Sequence, residues 1–429
     1  MTWAAAPVNP ASMRTSRRDL LMMSAASAGL AALGPARLLA QEPARSLARM
    51  TGDVVPIAGE EHLARIDKAR RLMAEHGIGA LLIEPGASMT YFTGVQWWRS
   101  ERLTAAILPR EGEAAIVTPH FEEPSVRESL KIPAEIRVWN EHENPLGLVA
   151  GILRDRRVTA PVGIEETVRF FAVDGLRRAL PGVEIRPGAP VVRGCRMVKS
   201  AHEIALMQKA ADITIAAYRH TAPRIARGMT PGEIGAIMNG ATAALGGNPE
   251  FALVLLGEAS AYPHGSGQPQ QVRDGEVVLM DCGCTVEGYQ SDISRTFVFG
   301  DANAEQRRVW DQMHRGQQIA FEAARIGRSA GSVDDAVRAA YERWGYGPGY
   351  RLPGLSHRTG HGIGMDGHEP VNFVHGETTL LAPGMCLSDE PGLYLPGRFG
   401  IRLEDCLHMT EAGPAWFSTP PPSLDNPFG

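Results

Sequence analysis

Cysteine is scarce in this sequence, with five residues in 429: Cys195, Cys282, Cys284, Cys386 and Cys406. None stands in a C-x-x-C pair, and Cys282-Gly283-Cys284 is too tight for an easy disulfide. That excludes a disulfide framework and predicts buried free thiols, which pack as small apolar groups. An excess of positive charge is also lacking. Lys and Arg number 43 against 48 Asp and Glu, a formal net charge of -5. No basic field is left to hold nucleic acid. The apolar stretch near the N-terminus is too short, and too rich in Ala, Ser and Gly, to span a membrane. Hydrophobic residues at 44% and charged residues at 21% are the proportions of a soluble globular protein. The length exceeds one ordinary core and predicts two domains. Gly (47) and Pro (31) are plentiful and fall between periodic segments, which predicts many tight turns and hairpins.

The first forty residues read as an address. Ser16-Arg17-Arg18-Asp19-Leu20-Leu21 opens an alanine-rich apolar stretch that runs to Leu33, with small residues near Ala36 and Ala40. A charged start, an apolar middle and a small-residue exit form a signal peptide. The paired arginines resemble a twin-arginine export signal. Residues 1–40 are therefore expected to direct export, with a periplasmic location.

Residues 60–77 predict a helix, since Leu63, Ile66, Ala69, Leu72 and Met73 recur at helical spacing before Gly77. Short apolar runs follow at 80–83, 104–108, 114–117 and 162–164, with another strand at 183–186 and a helix at 169–180. This alternation predicts a small α/β domain over residues 45–188. Arg186-Pro187-Gly188-Ala189-Pro190 reads as a linker. A second domain, residues 189–429, begins with a long helix from Ala201, opened by the capping box of Ser200 and Glu203. Gly228–Ile234 and Gly327–Val333 each follow a long helix and lead into another. They hint at an α/β unit used twice, with a site between the halves.

Acidic residues interrupt the strands of this second domain. Asp281 ends the apolar run Val277–Met280, and Asp292 lies across a turn at Glu287-Gly288. A β-hairpin would let both carboxylates meet on one face, with Cys282 and Cys284 on the other. His357, His361 and His368 stand among glycines in His357-Arg358-Thr359-Gly360-His361-Gly362-Ile363-Gly364 and just beyond. Glu390 and Glu404 are symmetric about Gly397, so a second hairpin can bring them together. Four ionised acids on strands would destabilise the fold if unpaired. Two divalent cations remove that objection. Oxygen-rich ligation with one His suits Mn, with Zn or Co as alternatives. Two such ions can share a water, make it hydroxide near neutral pH and polarise a carbonyl.

The order D-x-G, a second Asp, H-G-x-G, E-P-G and R-x-E-D closely resembles the pita-bread peptidases from about Arg196 onward. That family holds methionine aminopeptidase, aminopeptidase P, prolidase and creatinase. The two-domain layout and Tyr91-Phe92-Thr93-Gly94 resemble the prolidase, aminopeptidase P and creatinase branch. The resemblance implies a creatinase-like α/β domain followed by a pita-bread domain, and hydrolysis of the bond before proline in dipeptides or longer peptides. It implies Asp281 and Asp292 on one metal ion, His361 and Glu390 on the other, and Asp292 and Glu404 bridging them. It further implies substrate contact by His264, stabilisation of the reacting amide and shaping of the proline pocket by His357 and His368, orientation by Arg402 and general base action by Glu390. A homodimer is implied as well, with one subunit's Gln96–Arg102 segment reaching toward its partner's site; a loop anchored by tryptophan is the plainer reading. Three alternatives remain. These are a creatinase-like hydrolase without metal, a lyase of the same fold acting on dimethylsulfoniopropionate, and a peptide-binding module that has lost catalysis. The lyase carries an extra acid where this chain has Gly283, and the module loses ligands that are all present here.

Overall fold

The structure, a computed structural model, describes residues 47–428; the predicted export segment lies outside the described residues. Among the described residues no helix is long and apolar enough to cross a membrane.

The first layered unit follows the apolar spacing of the sequence. Ile66, Ala69 and Met73 bury one stripe of the helix Gly59–Glu75, and Gly77 takes a φ of 66° just beyond its end. Strands β1 (Ala80–Ile83), β2 (Ala105–Pro109), β3 (Ala115–Pro119), β4 (Glu135–Trp139), β5 (Val162–Ile164) and β6 (Ile185–Pro187) form one sheet, in the order β4-β3-β2-β1-β5-β6. The sheet is mixed: β1 runs antiparallel to β2 and parallel to β5. Alternation along β1 sends Leu81 and Ile83 into one core and Ala80 and Leu82 into another. A strand with helices on both faces must read as a continuous apolar run. The stretch Arg186–Pro190 passes from β6 directly into the helix Ala189–Arg196, whose Val191, Val192 and Cys195 join the first of these cores. In the Gln96–Arg102 segment, Trp97 stacks on Trp98 and donates Nε1–H to Glu122, while Trp98 remains 69% exposed.

The helix Ala201–Thr221 opens with the expected reciprocal cap: the Ser200 hydroxyl accepts from the Glu203 amide, and the Glu203 carboxylate accepts from the Ser200 amide at 2.8 Å. The helix Pro231–Leu245 follows with a Thr230–Glu233 box of the same kind. Next come β7 (Asn248–Leu256), β8 (Glu276–Val286), β9 (Tyr289–Gln290) and β10 (Ile293–Phe299), an antiparallel sheet in the order β10-β8-β7 with β9 on β8. The pattern then repeats. Helices Ala304–Ala323 and Gly331–Arg343 precede β11 (Gly360–Gly362), β12 (Glu369–Phe373), β13 (Cys386–Asp389), β14 (Gly392–Leu395), β15 (Phe399–Arg402), β16 (Asp405–Thr410) and β17 (Gly413–Trp416). Their sheet runs β12-β11-β13-β16-β17, with β14 and β15 paired beside it. Each half is thus two helices and an antiparallel sheet. Leu279, Trp310, Leu393, Ile401 and Leu407 fill one shared core, and a bridge from Ser294 to Glu404 joins the two sheets. The chain is a mixed α/β protein with the two-part layout expected from its sequence.

Candidate metal centre

The acids gather because two hairpins meet at that bridge. In the first hairpin Ser294 pairs with Asp281, and Thr285 with Gln290. Asp292 therefore stands opposite Gly283 and lies diagonally across from Asp281 rather than level with it. Residues two apart on a strand share a face, so both carboxylates still project together. Glu287 and Gly288 make the turn with φ of 50° and 81°. Gly283 is required: a Cβ there would collide with the Ser291 carbonyl and the Phe251 ring. Cys282 and Cys284 are buried free thiols, and Cys284 Sγ lies 3.3 Å from the Ala210 carbonyl in the adjacent helix.

In the second hairpin Gly392 pairs with Arg402, and below it Asp389 pairs with Asp405. Glu390 and Glu404 face each other between these ladders. The Glu390 amide donates to the Thr359 carbonyl at 2.9 Å, and the Glu404 amide to the Ser294 carbonyl at 3.1 Å, so both backbones are fixed. His361 sits on β11, where its amide donates to Ser388 Oγ at 2.9 Å. Its Nδ1 lies 3.0 Å from the Gly362 carbonyl. A proton on Nδ1 satisfies that contact and leaves Nε2 with a free lone pair. Nε2 stands 3.2 Å from Glu390, 3.7 Å from Asp292 and 3.9 Å from Glu404.

Donor atoms of Asp281, Asp292 and Glu404 lie within 4.8 Å of one another, and so do those of His361, Glu390 and Glu404. A third such group, Asp292, His361 and His368, brings in an exposed histidine as a possible donor that the sequence reading placed outside the ligand set. Asp281 Oδ1, Asp292 Oδ1 and Glu404 Oε1 are buried without any hydrogen-bond partner. Burial first, then repulsion from neighbouring carboxylates, pushes Asp292 and Glu404 well above the ordinary carboxylate range. Burial likewise pushes Glu390 up to about 7 against the pull of Arg402. Burial holds His361 well below its ordinary value, so its imidazole is neutral. Partnerless oxygens, repelling acids and a neutral imidazole are what divalent cations would satisfy, so the residues present fit a metal centre.

Around the acids runs a network that no local sequence pattern announced. Arg402 meets Asp281 at 2.5 Å, Ser294 Oγ at 3.0 Å and the Tyr394 hydroxyl at 3.3 Å. Ser294 in turn donates to Glu404 at 2.8 Å. The Tyr394 hydroxyl lies 2.8 Å from His357 Nε2. Burial, then the Arg402 charge, pushes His357 down to about 3, so it is neutral near pH 7. Arg338 holds the loop before β11. It pairs with buried Asp334 at 2.7 Å and donates to the carbonyls of Gly349, Leu355 and His357. Beneath the acids, fully buried Arg295 pairs with Asp405 at 2.7 Å. His264 is exposed and lines a groove of about 630 Å³ with Leu253, Leu255 and Gln270; Arg402 donates to the neighbouring Pro263 carbonyl at 3.1 Å. The structure thus brings Asp281, Asp292, His361, Glu390 and Glu404 together and sets His264, His357, His368 and Arg402 around them. Ser294, Tyr394, Asp334 and Arg338 were missed.

Comparison with known proteins agrees with this architecture. The pattern of Metallopeptidase family M24 matches residues 205–411, and that of the Creatinase/Prolidase N-terminal domain matches residues 65–198. The chain is similar to the Probable dipeptidase PepE of Mycobacterium tuberculosis, 34% identical over 82% of this chain and 93% of that protein. It is similar to the Xaa-Pro dipeptidase of Pyrococcus furiosus, 29% identical over 81% of this chain and 96% of the other. Among solved structures, Dipeptidase PepE from Mycobacterium ulcerans superposes with a TM-score of 0.79 at 31% identity, covering 86% of this chain and 99% of that one.

Proposed function

We propose that this chain, which belongs to metallopeptidase family M24, hydrolyses the amide bond before proline in dipeptides or at peptide N-termini. The observation that carries the reading is the cluster of buried, partnerless carboxylate oxygens of Asp281, Asp292 and Glu404, the last two beside His361, in a chain related to a protein named Xaa-Pro dipeptidase. Asp281 and Asp292 would hold one divalent ion, His361 and Glu390 a second, and Asp292 and Glu404 both. Manganese fits this oxygen-rich set, with zinc or cobalt as alternatives. The ions would supply Lewis acidity and a water deprotonated near neutral pH.

The protein groups do the rest. Glu390, a carboxylate at the centre, would take the proton of the attacking water. His264 and His368 would donate to the oxygen of the tetrahedral intermediate and help the leaving nitrogen gain its proton. Arg402 fixes Asp281 and, through Tyr394, the neutral ring of His357. In this reading that ring would help shape the proline pocket. Purified protein should cleave Ala-Pro or a longer Xaa-Pro peptide with added manganese and lose activity with chelator. Binding metal while cleaving neither would overturn the reading. The reading of export rests on residues 1–40 alone; deleting Arg17 and Arg18 should leave the protein in the cytoplasm, and unchanged export would end the idea.

A further inference from the structure

His368 is held differently from the histidines beside it. The His357 ring is fixed at both nitrogens, by the Arg358 carbonyl and the Tyr394 hydroxyl, and the His361 ring by the Gly362 carbonyl. The exposed ring of His368 meets the His361 ring edge-on, 4.2 Å between centroids, and takes no hydrogen bond among the described residues. Its place is therefore set by its backbone, the turn of residues 363–368 between β11 and β12.

That turn is closed by Glu369, the first residue of β12. Glu369 is buried, and its Oε1 accepts from the amides of Met365 at 3.1 Å and Asp366 at 3.2 Å. The cations that hold Glu369 come from the chain leaving the first layered unit. Arg196, the last residue of the helix Ala189–Arg196, meets Glu369 at 2.5 Å and Asp366 at 2.7 Å, and Lys199 meets Glu369 at 2.9 Å. Arg196 also donates to Ser88 Oγ at 2.9 Å, and Ser88 donates to Glu165 at 3.1 Å, so the guanidinium is fixed from the side of the first unit. Met365 of the turn packs against the core of that unit, where Ile66, Tyr91 and Val192 lie. Burial raises the Glu369 carboxyl, but the Lys199 and Arg196 charges outweigh it and hold the group at about 2, so it stays ionised at neutral pH. Beside the clasp lies a pocket of about 240 Å³ lined by Thr167, Val192, Asp366, His368 and Pro370. A turn released from its clasp has room there to carry the ring away from the acids.

We propose that Arg196 and Glu369 are positioning residues that act through His368, so that the N-terminal unit holds the histidine that would donate to the substrate. This rests on the reading of the chain as a hydrolase of the bond before proline, in which His368 touches the reacting amide. A small displacement of such a group is costly, because its hydrogen bond is needed at one place only.

The test is a double-mutant cycle on Ala-Pro hydrolysis by the manganese-loaded full chain. Its members are Arg196→Met, His368→Ala and the two together, with enzyme concentrated enough to follow the slow variants. Arg196→Met alone should lower kcat about tenfold, with KM and metal content close to native. In the His368→Ala background the same replacement should lower kcat less than twofold, since the ring it positions is gone. Arg196→Lys should recover part of kcat, because it keeps the charge on Glu369 without the fork. Should Arg196→Met fail to fold, Glu369→Gln, which keeps the shape and removes the charge, is taken through the same cycle with the same expectation. A native kcat in the folded single variant overturns the proposal. So does an equal loss in both backgrounds, which shows a general structural role. If the native protein does not cleave Ala-Pro, the functional reading itself falls, and the positioning role with it.

Discussion

Replacing Asp292 with Asn in metal-free protein should make the fold more stable while destroying its use. The carboxylates of Asp281, Asp292 and Glu404 have donor atoms within 4.8 Å of one another, buried and with partnerless oxygens. Two unit charges at that separation repel by about 3.5 kcal/mol at an effective dielectric near 20. Protonation relieves part of this, so the chelated native protein carries roughly 1–3 kcal/mol of strain between Asp292 and its neighbouring acids. Asn has the same shape and no charge. At roughly 2–4 °C per kcal/mol, the chelated variant should melt roughly 2–12 °C higher than the chelated native chain. With manganese the order should reverse, because ions that bind only the folded state stabilise it by mass action and the variant has lost a ligand. The pH dependence has a definite sign. Asp292 and Glu404 are raised above their ordinary values in the folded state. The folded state is therefore penalised once pH exceeds the unfolded carboxylate value, and the penalty grows until the folded value is passed. Chelated native protein should gain stability from pH 8 toward pH 5, and Asp292→Asn should gain less. Scanning calorimetry with and without chelator decides it. A chelated variant that melts at or below the native protein would refute the reasoning.

Three further outcomes are expected. Arg338→Met leaves buried Asp334 without its cation and frees the loop carrying His357; loss of one partner from such a pair costs about 3–5 kcal/mol, so denaturant unfolding should shift by that amount and kcat should fall. Tyr394→Phe removes the hydroxyl between His357 and Arg402; kcat should drop about tenfold, a loss of roughly 1.4 kcal/mol, with metal content measured by mass spectrometry unchanged. Gly360→Ala drives a Cβ into the Ser388 carbonyl, so β11 should shift, and metal affinity measured by titration calorimetry should fall together with Tm.

What the sequence determined by itself was local. Asp281 and Asp292 are joined by a tight hairpin whose Glu287-Gly288 turn is visible as letters. Glu390 and Glu404 are placed by symmetry about Gly397, and the capping box of Ser200 and Glu203 is written within four residues. In each case turn chemistry and strand alternation suffice, because the partners are close in the chain. Even here the register was finer than the letters: Asp292 stands opposite Gly283 and only diagonal to Asp281. The tertiary structure alone decided how the two hairpins meet. The Ser294–Glu404 bridge and the Arg295–Asp405 pair each join residues about 110 positions apart. Nothing in a serine, a tyrosine or an arginine announces a partner at that distance. Arg338 clasping the loop of His357, Tyr394 between His357 and Arg402, and Arg358 bonded to Asn372 all exist because packed sheets bring remote strands level. A pattern read along one strand carries no such information.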